Sequence, residues 1–382
     1  MTSKERLLIT MRHGIPDRVP VTPDISNMIP ARLTGKPFWD LYLYQDPPLW
    51  VAYIDAVKQL GIDGMLDYQV VVDFPDEIIP PDPRRGVAIV ERTEDRMVTR
   101  RYCDEGAQRT WAPVCDIYPR YDPPTVNVPI VKVNIPEIPD RWEPVTGVKA
   151  WPVGEELFAL AYEMMGDHGL VGMVCGTSSV VSSVEGVYQY YDDPDAVRAE
   201  AQRLLAASRR RMAHIVEMRV RPDYIQCGGS GSLVFQTEDI FRDVSLEIIQ
   251  AVTQQCREAG IVSHLHSCGP ERALVMICAE ETSLDGIEPL EIPPMGDCHL
   301  AELKHAFGDR LVLKGNLHTT EVMLRGSYAE VFHASRQAIA DAAMGGGFVL
   351  STGDQCGRDT PLTNIQAMLD AAEQYGRYTS PY

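Results

Sequence analysis

The chain has 382 residues, 45% of them hydrophobic and 23% charged, an ordinary globular composition that excludes disorder and collagen-like repeats. Lys and Arg total 35 against 54 Asp and Glu, a formal net charge of −19. Such a surface repels nucleic-acid phosphates and anionic membranes, so neither is an expected partner.

Short apolar runs recur along the chain and end in polar or Gly-rich residues. In order they are RVPVTPD (18–24), GMLDYQV (64–70), LVGMVCG (170–176), YIQCGG (224–229), IVSHLHSCG (261–269), GIEPLE (286–291), LVLKGN (311–316) and FVLSTGD (348–354). Segments of helical period separate most of them: 47–60, 193–220, 237–260, 271–284, 299–308 and 328–347, with a last one over 364–378. Buried parallel strands read as continuous apolar runs, and their alternation with helices implies a parallel sheet. Eight such runs predict an α/β fold, a single (β/α)8 TIM barrel spanning 1–382. An open doubly wound sheet is the alternative, weakened by the lack of a Gly-rich dinucleotide fingerprint after the first run.

Residues 71–150 break this rhythm with Pro, charge and β-branched residues. VAIVERTEDRMVTRRYCDEGAQRTWAP (87–113) reads as antiparallel strands with a turn at Asp104-Glu105-Gly106. The expectation is a β-rich segment inserted after the second strand. It would cover part of the barrel mouth or serve as a contact between copies in a homo-oligomer.

The nine cysteines are odd in number and scattered, unlike a secreted disulfide framework. MTSKERLLITMRHG at the start has no apolar core or cleavage site of a signal peptide. No run approaches the roughly 20 apolar residues of a membrane span. A cytoplasmic protein is expected, with thiols free for packing or for metal.

In a barrel, function sits at the carboxyl ends of the strands. Those ends carry Asp24, Asp67, Tyr68, Cys175, Cys227, Gly228, Gly229, His264, His266, Cys268, Glu288, Glu291, Asn316, His318, Asp354 and Cys356. His266 and Cys268 are two apart, so on a strand both would point to one face. An imidazole and a thiolate converging in this way make half a zinc site. Cys356, just past the last run, is the candidate third ligand; three protein ligands leave the open position of a catalytic zinc. His264 shares the face of His266 and is a further ligand or catalytic neighbour. Asp354 is a candidate fourth ligand or an acceptor for a ligand histidine. Glu288 is a candidate general acid or ligand. GGSGS (228–232), with Gly228 and Gly229, would cradle an anion, form a mobile loop or approach a flat cofactor closely. Asn316 joins these glycines as a cofactor-binding candidate. Each of these residues also has a plainer reading as a packed or hydrogen-bonded strand-end group.

KERLLITMRHGIPDRVPV at the start, HLHSCGP, LKGNLHTTEVMLRGSYAEV and GDQCGRDTP resemble the uroporphyrinogen decarboxylase superfamily, in order and over nearly the whole chain. The resemblance implies the barrel independently of periodicity. It also implies one of two activities: decarboxylation in the haem pathway, or zinc- and cobamide-dependent methyl transfer. The decarboxylases carry an arginine-rich motif after the first strand; here PDISNMIPARLTG (23–35) has only Arg32, a poor match for a polycarboxylate. The methyltransferase branch has His-x-Cys followed by a late Cys, which His266, Cys268 and Cys356 match in order. The methylcobamide:thiol enzymes place that Cys directly after the glycine that is here Gly353. This chain has Asp354 there, so the last corner falls to Asp354, Cys356 or both. The chain has no Asp-x-His-x-x-Gly corrinoid sequence, which implies a cobamide carried by a separate corrinoid protein. The GGSGS loop and residues 71–150 are candidate docking surfaces. The aromatic residues and the departure at Asp354 favour a methylated substrate, an O-methyl aromatic ether in particular, over a thiol. A methylcobamide:thiol methyltransferase and a decarboxylase without metal stay as the alternatives.

Overall fold

The computed structural model describes residues 1–106 and 108–378. In chain order its strands are β1 (Gly64–Leu66), β2 (Arg85–Arg92), β3 (Arg96–Glu105), β4 (Gln108–Trp111), β5 (Val114–Pro119), β6 (Thr125–Pro129), β7 (Glu143–Pro144), β8 (Gly169–Val174), β9 (Tyr224–Gly228), β10 (Val262–His266), β11 (Gly286–Glu288), β12 (Val312–Leu317) and β13 (Phe348–Thr352). The chain divides into two compact units: residues 1–24, 57–72 and 154–382, and residues 25–56 and 73–153.

In the first unit β1 and β8 to β13 form a seven-stranded sheet in chain order, every neighbouring pair parallel. Helices fill the connections, among them Pro194–Glu217, Leu246–Ala259, Arg272–Glu281, Leu300–Phe307 and Tyr328–Ala342. Their starts follow local chemistry. Asp193 caps Pro194–Glu217 with proline at its first position, where the missing N–H costs nothing. Ser327 and Glu330 make a reciprocal capping box for Tyr328–Ala342.

The sheet curls. Met65, Leu170, Tyr224, Val262, Val312 and Val349, one from each of six strands, meet in a single buried cluster with Leu7 and Met11. Leu7 and Met11 lie four apart on the helix Ser3–Met11, so both face the same way. That helix plugs the amino-terminal end of the strands.

The expected strand over 18–24 is reduced to two isolated bridges, a parallel one from Val21 to Leu350 and an antiparallel one from Arg18 to Arg377. Pro20 and Pro23 lack the N–H groups a ladder requires. The segment still bonds in two directions: Leu350 N–H donates to Pro20 O and Thr22 N–H to Leu350 O, both at 2.9 Å, while Asp63 N–H donates to Val21 O at 2.9 Å. Asp63, fully buried, also accepts from the Val21 N–H at 2.8 Å and pairs with Arg6 at 2.7 Å and Arg18 at 3.1 Å. The charged residues of the opening motif therefore tie the amino terminus to the residue preceding β1.

In the second unit an antiparallel sheet runs β6-β5-β3-β2-β7, with β4 paired to β3. The hairpin of β3 and β4 falls at the turn expected near Gly106; Ala107 lies outside the described residues. The Arg109 guanidinium lies 3.7 Å from the Tyr102 ring centre and 4.2 Å from that of Trp142, and pairs with Asp104 at 2.6 Å. Among the described residues no helix is long and apolar enough to cross a membrane.

Candidate metal centre

The site begins at β10. Its alternation turns His264 and His266 to one face. His264 is fully buried, and His266 is 23% exposed at its side chain. Pairing with β11 sets His266 beside Glu288. The strand stops at His266, so Cys268 lies in the loop beyond it. The expectation that both ligands share one strand face fails on that point. Ser267 N–H still donates to Glu288 O at 2.9 Å, and Gly269 then turns at φ +108°. Cys268 Sγ stands 3.5 Å from His266 Nε2. Two ligands of a tetrahedral zinc, at about 2.3 Å for sulfur and 2.0 Å for nitrogen, keep roughly that separation.

Asp354 is the third residue of this group. His266, Cys268 and Asp354 each offer one ligand atom, all within 4.8 Å of one another. Asp354 holds φ +119°, which a residue with a side chain adopts only under constraint. The Thr352 hydroxyl donates to its carbonyl at 2.7 Å. Cys356 stands outside this group. It is fully buried, and burial above all pushes its thiol up to about 12.

Glu288 organises the ring behind the ligands. Its Oε1 lies 3.5 Å from His266 Nδ1, 3.6 Å from His264 Nε2 and 3.4 Å from Gln226 Nε2. Its Oε2 pairs with the Lys314 ammonium. Burial works against the charge, but Lys314 and the two histidines overcome it and hold the carboxyl well below its usual range. Burial likewise works to lower the His266 pKa, and Cys268 and Glu288 reverse this and raise it. A carboxylate on Nδ1 leaves Nε2 facing Cys268, the carboxylate–histidine arrangement common behind metals. Nearby, burial raises Asp24 to about 7, with Glu288 adding to the effect.

The remaining candidates fall into place around this group. Gly228 ends β9 at φ +98°, where an added Cβ would stand 2.6 Å from His266 O. Gly229 N–H donates to that same oxygen at 2.9 Å. These glycines thus permit a close approach to His266. Asn316 is buried and its side chain donates to Leu290 O at 2.9 Å. Glu291 accepts from Gly269 N–H at 2.6 Å, holding the residue next to Cys268. Cys227 is a buried thiol beside Cys256, Cys278 and Cys175, with its pKa raised by burial, and packs away from this chemistry. Lys314 and Gln226 escaped sequence reasoning. A lysine inside the run LVLKGN was the available signal, because a buried lysine implies a buried partner.

No curated protein matches the sequence. Among solved structures, a methyltransferase from Methanosarcina mazei superposes with a TM-score of 0.64 at 18% identity, covering 98% of this chain and 99% of its own. A protein of Sinorhizobium meliloti 1021 is similar at 14% identity over 58% of this chain and 84% of its own, with a TM-score of 0.33. The first likeness bears on the fold alone. Residues 189–375 match the uroporphyrinogen decarboxylase (URO-D) family, a stretch that runs from ahead of β9 to the last helix and includes His266, Cys268, Glu288 and Asp354. The match covers just under half of the chain and agrees with the sequence resemblance to the uroporphyrinogen decarboxylase superfamily.

Proposed function

We propose that this protein is a zinc-dependent methyltransferase of that superfamily, moving a methyl group between a small O-methyl aromatic ether and the cobalt of a separate corrinoid protein. The observation that carries the reading is the convergence of His266, Cys268 and Asp354. The donor set is one nitrogen, one sulfur and one oxygen, which suits zinc and leaves a fourth position for substrate. The activity named for the archaeal neighbour accords with it. The fold belongs to the same proposal: residues 19–22 act as the eighth stave of a closed (β/α)8 barrel, bonded to β13 and to Asp63.

Zinc held there would act as a Lewis acid on the heteroatom that bears the methyl group, and the partner's cobamide would exchange that methyl. The chain's own residues do the rest. Glu288 fixes the ring of His266 through Nδ1, and Lys314 keeps Glu288 ionised. In this role Glu288 is an acceptor that orients a ligand. Asp354 takes the third corner, and His264 lines the ring behind it. Gly228 and Gly229 keep the backbone against His266, and Asn316 steadies the strand end beside Asp354. Docking of the corrinoid carrier, a cytoplasmic setting and association with further copies complete the reading.

Metal-free decarboxylation is the second reading, favoured by the family match itself. Two measurements separate them. Elemental analysis of the purified protein is expected to give about one zinc per chain. Incubation with 2-methoxyphenol and reduced cobalamin is expected to yield methylcobalamin. A zinc-free protein that releases carbon dioxide from a porphyrinogen overturns the proposal.

A further inference from the structure

His318 directly follows β12. Its Nδ1 accepts from the N–H groups of Thr320 at 3.1 Å and Glu321 at 3.2 Å, capping the π-helical turn Thr319–Leu324. A ring nitrogen that accepts two N–H bonds carries no proton, so the proton of the neutral ring sits on Nε2. The backbone thus presents this imidazole as a donor in a fixed orientation.

The strand register brings His318 to the end of β13, which lies just ahead of Asp354 in the chain. Leu317 pairs with Thr352, and Gly353 N–H donates to Leu317 O at 2.7 Å. His318 and Asp354 therefore emerge side by side from adjacent strands. His318, Asn316, Glu291, Met295 and Gly353 line one cleft of about 10 Å³, room for one water-sized group. The acceptor must also suit its neighbours. Glu291 and Asp354 lie close enough to influence each other, and two carboxyl groups disfavour an anionic ligand.

We infer that the His318 Nε2–H is a substrate-binding donor, aimed at an uncharged oxygen of the ligand at the metal group: an ether, phenol or carbonyl oxygen. This deepens the proposed function and rests on it for the class of ligand. A hydrogen bond from a neutral ring to such an oxygen selects it over a sulfur analogue, a weaker acceptor.

The test uses zinc-loaded full-length protein and 2-methoxyphenol, with binding read by calorimetry. In His318→Asn the amide can still cap the turn but is too short to place a donor in the cleft; His318→Gln can place one there. Both variants are expected to keep wild-type zinc content. His318→Asn is expected to bind about three- to tenfold more weakly, the effect of one lost hydrogen bond, and His318→Gln close to wild type. Equal affinity in His318→Asn overturns the inference. Nitrogen NMR of the histidine side chains decides the tautomer independently of any ligand; a proton on Nδ1 of His318 also overturns it. A wild-type protein that carries zinc, shows the Nε2–H tautomer and binds no methoxyarene retires the aryl-ether reading above, and with it the ligand class inferred here.

Discussion

Replacing Lys314 with Met removes the cation that faces Glu288 while keeping most of the volume. The side chains are 7% and 10% exposed, so water cannot take over. Truncating one partner of a buried pair costs about 3–5 kcal/mol, because the remaining charge stays buried and unpaired. Glu288 retains Gln226 at 3.4 Å and the two histidines at 3.5 and 3.6 Å, which places the expected loss near the lower end, about 3 kcal/mol. Adding Glu288→Gln removes the orphaned charge, so the double variant should recover about 2 kcal/mol of that loss. Urea unfolding followed by far-UV circular dichroism measures all four proteins, with stability compared through midpoints and slopes. The pH dependence has a definite sign. Glu288 is depressed in the native protein, so its contribution is present above its unfolded pKa and is lost as pH falls through the folded one. Without Lys314 the buried carboxyl protonates more readily, so the deficit should shrink from about pH 8 to about pH 5. A single variant that loses under about 1 kcal/mol, or a double variant as weak as the summed singles, refutes the pairing argument.

His266→Ala and Cys268→Ser should each strip zinc, and Asp354→Ala should lower zinc affinity, whereas Cys356→Ser should leave metal content unchanged; elemental analysis after dialysis reads all four. Glu288→Gln should weaken zinc about 10- to 100-fold in a competitive chelator titration, the usual effect of losing the acceptor behind a ligand histidine. Glu271 is 2% exposed, and burial raises its carboxyl from 4.5 to about 7. Its folded pKa exceeds the unfolded one, so stability present below the unfolded value is lost as pH rises through the folded value. Glu271→Gln should therefore flatten the stability profile and gain up to about 3 kcal/mol near pH 8; a profile unchanged by the substitution would show that the carboxyl ionises normally. Gly228→Ala places a Cβ 2.6 Å from His266 O at φ +98°, so it should cost about 1–3 kcal/mol and reduce zinc affinity together, measured by thermal unfolding and chelator competition.

Much of the first unit was legible locally. Apolar runs of strand length separated by helical periods predict parallel strands in chain order, because a strand covered on both faces needs no polar alternation. The pair His266 and Cys268 was legible for a similar reason: two ligand types two residues apart at a strand end. Local pattern failed where pairing partners decide. The run over 18–24 reads as a strand, yet two prolines leave it only two isolated bridges. Cys356 and Asp354 compete in the sequence on equal terms, two residues apart. Only the turn after β13 brings the carboxylate near His266 and buries the thiol beside Thr352 and Thr360. The partnership of Lys314 with Glu288 joins residues 26 apart, and no periodicity links them.

The sequence by itself therefore determined which elements form and which residue types crowd the strand ends, because propensity and periodicity act over a few neighbouring residues. Tertiary structure decided which of those side chains meet. The curl and register of the sheet bring β10, β11, β12 and the end of β13 together, and burial then sets which groups carry charge.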